Sequence, residues 1–127
     1  MVSPDVVVGH FSQAASRLAE ALAQPRDAFM RDASIQRFEF TFDLAWKALK
    51  AYLEDRLKVR CASPRACFRE AYAQGLIAYE NNWLTMADDR NLTAHMYKEE
   101  IANEVYSRLP DYLKLFQDLL KKLQAST

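Results

Sequence analysis

The stretch IQRFEFTFDLAWKALKAYLE, Ile35–Glu54, decides the fold. Its apolar side chains Ile35, Phe38, Phe42, Ala45, Trp46, Leu49, Tyr52 and Leu53 recur three and four residues apart. That is the repeat of one helix face, held over about five turns. Phe40 and Leu44 widen the face, and no glycine or proline interrupts it. The spacing predicts a single helix from about Asp27 to Arg56. A helix apolar on more than one side is central in its bundle or pairs with a second copy. Phe38–Trp46 carries more apolar surface than one small bundle readily covers, which argues for a homodimer.

The flanking sequence is helical too. Val7, Phe11, Ala14, Ala15, Leu18, Ala21 and Leu22 predict a first helix over about 5–23, stopped near Pro25. After the long helix, residues 57–63 read as a connector. Ser63 before Pro64 is a helix start, serine capping and proline in the first turn. The third helix then runs to about Gln74, with Gly75 as its C-terminal cap. A fourth helix is expected from about Ile77 to Arg90, its apolar side formed by Trp83, Leu84 and Ala87. A fifth opens at Lys98 with the stripe Ile101, Val105, Leu109, Tyr112, Leu113, Phe116, Leu120 and Leu123. This stripe keeps phase across Pro110, so a kink or a new first turn is expected there. Ala125–Thr127 are expected to fray.

The chain has 127 residues, half of them apolar, with only two glycines and four prolines. That is one domain's length, 1–127, and too few turn residues for an all-β fold. The expected fold is all-α: an antiparallel up-and-down bundle of four main helices plus one shorter helix. Lys and Arg equal Asp and Glu at 17 each, so the net charge is zero. Gripping nucleic acid through bulk charge is excluded, and any RNA contact has to be local. Lys58, Arg60, Arg65 and Arg69 are either solvated or such a local patch. The apolar run Val6–Val8 is far too short for a signal peptide or a membrane span, so no membrane partner is expected. Cys61 and Cys67 stand six apart without a second pair or a nearby histidine. They read as buried or free thiols in a reducing cytoplasm rather than as metal ligands or a bridge.

One segment concentrates chemistry: DDRNLTAHMY, Asp88–Tyr97, with the pattern R-x4-H-x-Y. Arginine holds phosphate through a planar fork of donors, and histidine moves protons near neutral pH. On an unbroken helix, residues five apart lie roughly 140° around the axis from each other. Arg90 and His95 therefore need a helix break between them, or a second copy of the motif across a two-fold axis. Asn91 and Thr93 suit a break, because both bond nearby backbone. In metal-independent RNA cleavage His95 would transfer protons, Arg90 would neutralise the phosphorane, and Asn91 would orient either group. A purely structural arrangement fits the same spacing: Arg90 pairing with Asp88 or Asp89, His95 on a carbonyl, Tyr97 in the core. Asp88, Asp89 and Asp43 are the candidate cleft carboxylates. Asp43 belongs to the Glu39–Asp43–Lys47 ladder, which is either a salt-bridged helix edge or a carboxylate facing the cleft. His10, beside the first helix's stripe, reads as structural or solvent-facing. The sequence carries no Gly-rich phosphate loop, H-E-x-x-H, CxxC or nucleophile elbow, so neither metal nor cofactor is expected.

Ile35–Glu54, SPRACFREAYAQGLI (Ser63–Ile77) and WLTMADDRNLTAHMY (Trp83–Tyr97) together resemble the nucleotidyltransferase substrate-binding protein family, a branch of the HEPN superfamily. The resemblance covers nearly the whole chain in the same order. It implies a homodimer that associates with a minimal nucleotidyltransferase (MNT) encoded beside it. In the older interpretation this chain is the non-catalytic substrate-binding subunit of a split nucleotidyltransferase. In the newer one it is a HepT-like RNase toxin of an MNT/HEPN toxin–antitoxin pair, silenced by AMP transfer to the tyrosine of R-x4-H-x-Y. On that pattern Arg90 and His95 match the RNase pair and Tyr97 the AMP acceptor. The two interpretations part on whether this chain alone cleaves RNA.

Overall fold

The computed structural model describes residues 3–125. Five helices follow in order: α1 (Pro4–Leu22), α2 (Ala28–Arg56), α3 (Pro64–Ala73), α4 (Glu80–Leu92) and α5 (Glu99–Ala125). A 3-10 turn, Thr93–His95, lies between α4 and α5. Ser126 and Thr127, where fraying is expected, lie outside the described residues. The helical bundle expected from the sequence is the fold of the chain. No helix among the described residues is long and apolar enough to cross a membrane.

The helix ends follow local chemistry. Asp27 caps α2 by accepting from the Met30 amide at 2.7 Å, and Ser63 caps α3 by accepting from the Ala66 amide at 3.2 Å. Each satisfies one of the amides that a helix start leaves without an intrahelical partner. At the other end of α3, Gly75 takes φ +75°. Its amide bonds the Tyr72 carbonyl at 3.1 Å and the Leu76 amide bonds the Ala71 carbonyl at 2.8 Å, which is the Schellman closure. Leu76 and Ile77 are buried and anchor the loop after this cap. That is why α4 starts at Glu80, three residues later than expected.

The core is an aromatic chain. Phe116 of α5 touches Phe11 of α1 (5.8 Å between centroids), Phe38 of α2 (6.2 Å) and Trp83 of α4 (5.8 Å). Phe68 of α3 joins Phe42 at 5.7 Å and Trp83 at 5.0 Å. Ring packing thus ties all five helices together, adding to the area each ring buries. Phe38 and Phe42 are spent inside this core, while Phe40, Leu44 and Trp46 remain partly exposed. The unspent apolar surface of α2 is therefore smaller than the sequence pattern suggests.

One expectation is corrected here. Cys61 and Cys67 are not free thiols: a disulfide joins them, with their α-carbons 5.1 Å apart. The connector folds Cys61 back over the first turn of α3, and that separation is within the range a bridge requires. Of the two alternatives at Pro110, a kink or a new first turn, the second does not occur, because α5 runs through Pro110 without interruption.

Candidate active site at the end of the fourth helix

The R-x4-H-x-Y segment spans the break it was expected to need. Arg90 sits in the last turn of α4, His95 ends the 3-10 turn, and Tyr97 precedes α5. A cation in a helix's last turn is also favoured by the carbonyl ends around it.

The Arg90 guanidinium is aimed at α2. Nε and Nη2 donate to the two oxygens of Asp43, at 3.2 and 3.1 Å. Nη1 donates to Glu39 Oε2 and to Thr93 Oγ1, both at 3.1 Å. These bonds occupy four of the five guanidinium N–H groups and leave one on Nη2. The buried Thr93 hydroxyl completes the cluster, 2.6 Å from the Arg90 carbonyl and 3.2 Å from Glu39. The Arg90 side chain keeps 28 % of its exposure, Glu39 29 % and Asp43 42 %. The Asp43 hydrogen bond raises the arginine's pKa further, against the opposing effect of burial. One guanidinium faces two carboxylates here, so the cluster carries excess negative charge.

His95 and Tyr97 are exposed. Their rings meet edge to face at 5.9 Å, and the Tyr97 hydroxyl lies 3.4 Å from His95 Nδ1. Asn91 is exposed as well. No hydrogen bond joins Arg90 to His95 among the described residues. Nearby, Arg31 at the start of α2 bonds Glu99 at 3.1 Å and Asn103 at 2.9 Å, which fixes the first turn of α5 just after Tyr97. His10 lies apart, in a shallow hollow with Arg17 and Phe40.

Of the three candidate cleft carboxylates, only Asp43 reaches Arg90. Asp88 points to α3 and pairs with Arg65. Asp89 is buried and faces α5, where it accepts from Arg108 Nε at 2.6 Å, from Arg108 Nη2 at 2.9 Å and from the Tyr112 hydroxyl. Successive helical positions diverge by about 100°, so neighbours of Arg90 in sequence cannot share its direction. Burial, with the Asp89 hydrogen bond second, pushes the Tyr112 phenol well above its usual range. Glu39 and Thr93 were not singled out as site residues from the sequence. The i, i+4 pair Glu39–Asp43 and the threonine three residues after Arg90 are the signals that find them.

The chain is thus an all-helical bundle whose fourth helix ends in an anchored arginine, followed across a short turn by an exposed histidine–tyrosine pair. The family described as nucleotidyltransferase substrate binding protein like matches residues 7–125, and the chain belongs to it. It is 34% identical over 95 residues to a Haemophilus influenzae protein named probable ribonuclease HepT. That match covers 72% of this chain and 65% of the relative, just under two thirds of the relative's length. Among solved structures, a Thermus thermophilus protein superimposes with TM-score 0.86 at 40% identity, over 89% of this chain and 98% of its own. A Haemophilus influenzae protein, described as revealing the fold of a substrate binding domain of a nucleotidyltransferase, matches with TM-score 0.72 at 28% identity. That superposition covers 95% of this chain and 96% of the other.

Proposed function

We propose that the chain is a HEPN-type RNase toxin subunit of a two-gene module. It cleaves RNA without a metal ion through Arg90 and His95, at a cleft between two copies of the chain. A partner minimal nucleotidyltransferase silences it by transferring AMP to Tyr97. Acting on cellular RNA, it works in the cytoplasm. The observation that carries this reading is a placement: Arg90 is anchored in α4, and beyond the 3-10 turn His95 and Tyr97 stand exposed and in contact. The likeness to a probable ribonuclease supports it.

In the reaction the 2′-hydroxyl attacks the adjacent phosphorus. A P–O2′ bond forms and the P–O5′ bond breaks, giving a 2′,3′-cyclic phosphate and a 5′-hydroxyl. One imidazole takes the 2′ proton and a second protonates the leaving O5′. Two copies of His95 across a two-fold axis supply both. Arg90 offers its charge and its remaining N–H to the phosphorane, and Asn91 orients the phosphate. Asp43 and Glu39 keep the guanidinium in one direction. In silencing, the Tyr97 hydroxyl gives up its proton to solvent as its oxygen attacks the α-phosphorus of ATP; the new P–O bond forms as the bond to pyrophosphate breaks. The attached AMP brings bulk and negative charge beside His95, which blocks the site and repels RNA.

A second reading has its own support. Two carboxylates on Arg90, in a chain of zero net charge, suit a non-catalytic substrate-binding subunit of a split nucleotidyltransferase. Purified protein incubated with a mixed RNA pool in EDTA separates the two. The toxin reading expects cyclic-phosphate ends from wild type and none from His95→Ala. No cleavage by wild type shown by mass to carry no AMP on Tyr97 would count against the toxin reading and favour the substrate-binding one.

A further inference from the structure

Three consecutive residues at the end of α4 are each held by a different helix. Asp88 pairs with Arg65 of α3, Asp89 with Arg108 of α5, and Arg90 with Glu39 and Asp43 of α2. The three anchors are unequal. The Asp88–Arg65 pair is exposed on both sides, and such pairs hold little. The Arg90 cluster is partly open to water. Asp89 alone is out of solvent, at 5 % side-chain exposure. Both of its oxygens are taken, and Tyr112, which donates to one of them, is itself stacked on Phe38 at 5.6 Å. A buried carboxylate in a bidentate pair cannot swing away without stranding charge in the interior.

We propose that Asp89 is the positioning residue for Arg90. Its clamp on Arg108 and Tyr112 fixes the rotation of the last turn of α4. That rotation sets the direction of the Arg90 guanidinium and the departure of the turn that carries His95 and Tyr97. A helix's last turn lacks onward hydrogen bonds for its carbonyls, so it frays unless side chains tie it down. The exposed Arg65 pair is too weak to do this, and the Arg90 cluster is the part to be positioned. Asp89 touches no reacting atom; it acts through the residue after it. For RNA cleavage this consequence rests on the ribonuclease reading, whereas the placement of Arg90 does not.

The test uses the full chain as wild type, Asp89→Asn and Asp88→Asn, with Tyr112→Phe as a milder lesion that strands no charge. The first readout is solvent exchange of the Arg90 Nε–H in nitrogen-15 spectra, assigned by its loss in Arg90→Lys. Asp89→Asn should speed that exchange by at least about tenfold, Tyr112→Phe by less, and Asp88→Asn not at all. Folded Asp89→Asn with wild-type exchange overturns the proposal. If Asp89→Asn does not fold, Tyr112→Phe decides: faster exchange supports the clamp and unchanged exchange overturns it. The second readout is RNA cleavage well below the unfolding temperature. Asp89→Asn should lose at least about tenfold in kcat with KM nearly unchanged, since misaimed groups lose rate more than binding. Activity that merely tracks the folded fraction contradicts a positioning role. A wild type that cleaves no RNA sinks the ribonuclease reading and leaves the exchange measurement to decide on the clamp.

Discussion

Two arginine–carboxylate clusters meet at the end of α4, their α4 members one residue apart. Around Asp89, one carboxylate is matched by one guanidinium and one phenol, with the carboxylate almost wholly out of water. Around Arg90, one guanidinium is shared by two carboxylates in partial contact with solvent. The first cluster is balanced, and its carboxylate is closed off although the Arg108 side chain keeps 38 % exposure, so changing it disturbs the fold. The second is unbalanced and open, so a charged ligand can exchange with part of it. An ion pair's burial and charge balance, rather than its presence, separate a fastening from a site.

The largest effect is expected on the closed side. Arg108→Ala takes the cation from the buried Asp89 and should lower unfolding free energy by about 2–3 kcal/mol, measured by urea titration, less than for a wholly buried pair because the Arg108 side chain keeps 38 % exposure. A loss below about 1 kcal/mol would mean that Asp89 is effectively solvated and that the two clusters do not differ in kind.

A pH measurement sharpens the same contrast. The Tyr112 phenol is held above its usual range, chiefly by burial. Below about pH 10 the folded and unfolded chains both keep this proton, so Tyr112 adds no pH dependence. Above that, the unfolded chain releases it first, and stability falls as pH rises towards the folded-state value. Wild type should lose up to about 1.4 kcal/mol per pH unit more than Tyr112→Phe across that alkaline window. Parallel alkaline unfolding curves would contradict a buried phenol at Asp89.

The smallest effect belongs to the open side. Glu39→Gln removes one negative charge and keeps an acceptor for Arg90. It should cost little stability and tighten RNA binding about threefold at low salt, an advantage that fades as salt rises. Weaker binding would mean that Glu39 serves the RNA rather than opposing it.

The bundle was legible because periodicity and caps are local. The stripe of Ile35–Leu53, Asp27 ahead of α2, Ser63–Pro64 and Gly75 each act within a turn or two of where they are read. The start of α4 was misplaced because Leu76 and Ile77 look like helix stripe and serve instead as loop anchors. At the site, the need for a break between Arg90 and His95 followed from helix geometry, and Asp43 was visible as one of two outcomes for its ladder. The partners of Asp88 and Asp89 were not visible. They depend on how α4 is rotated against α2, α3 and α5, which no single helix encodes. The Cys61–Cys67 bridge escaped for a related reason: two lone cysteines favour a thiol reading until the connector's path is known.

The measurement that bears most directly on the division between the clusters is Arg90→Ala, followed by RNA cleavage in EDTA and by urea unfolding on one preparation. A functional Arg90 predicts cleavage reduced at least about a hundredfold, as for loss of a charge-stabilising donor, with stability changed by about 1 kcal/mol or less. Wild-type cleavage by Arg90→Ala, or a loss of stability as large as that of Arg108→Ala, would show that Arg90 is a second fastening and that the site lies elsewhere.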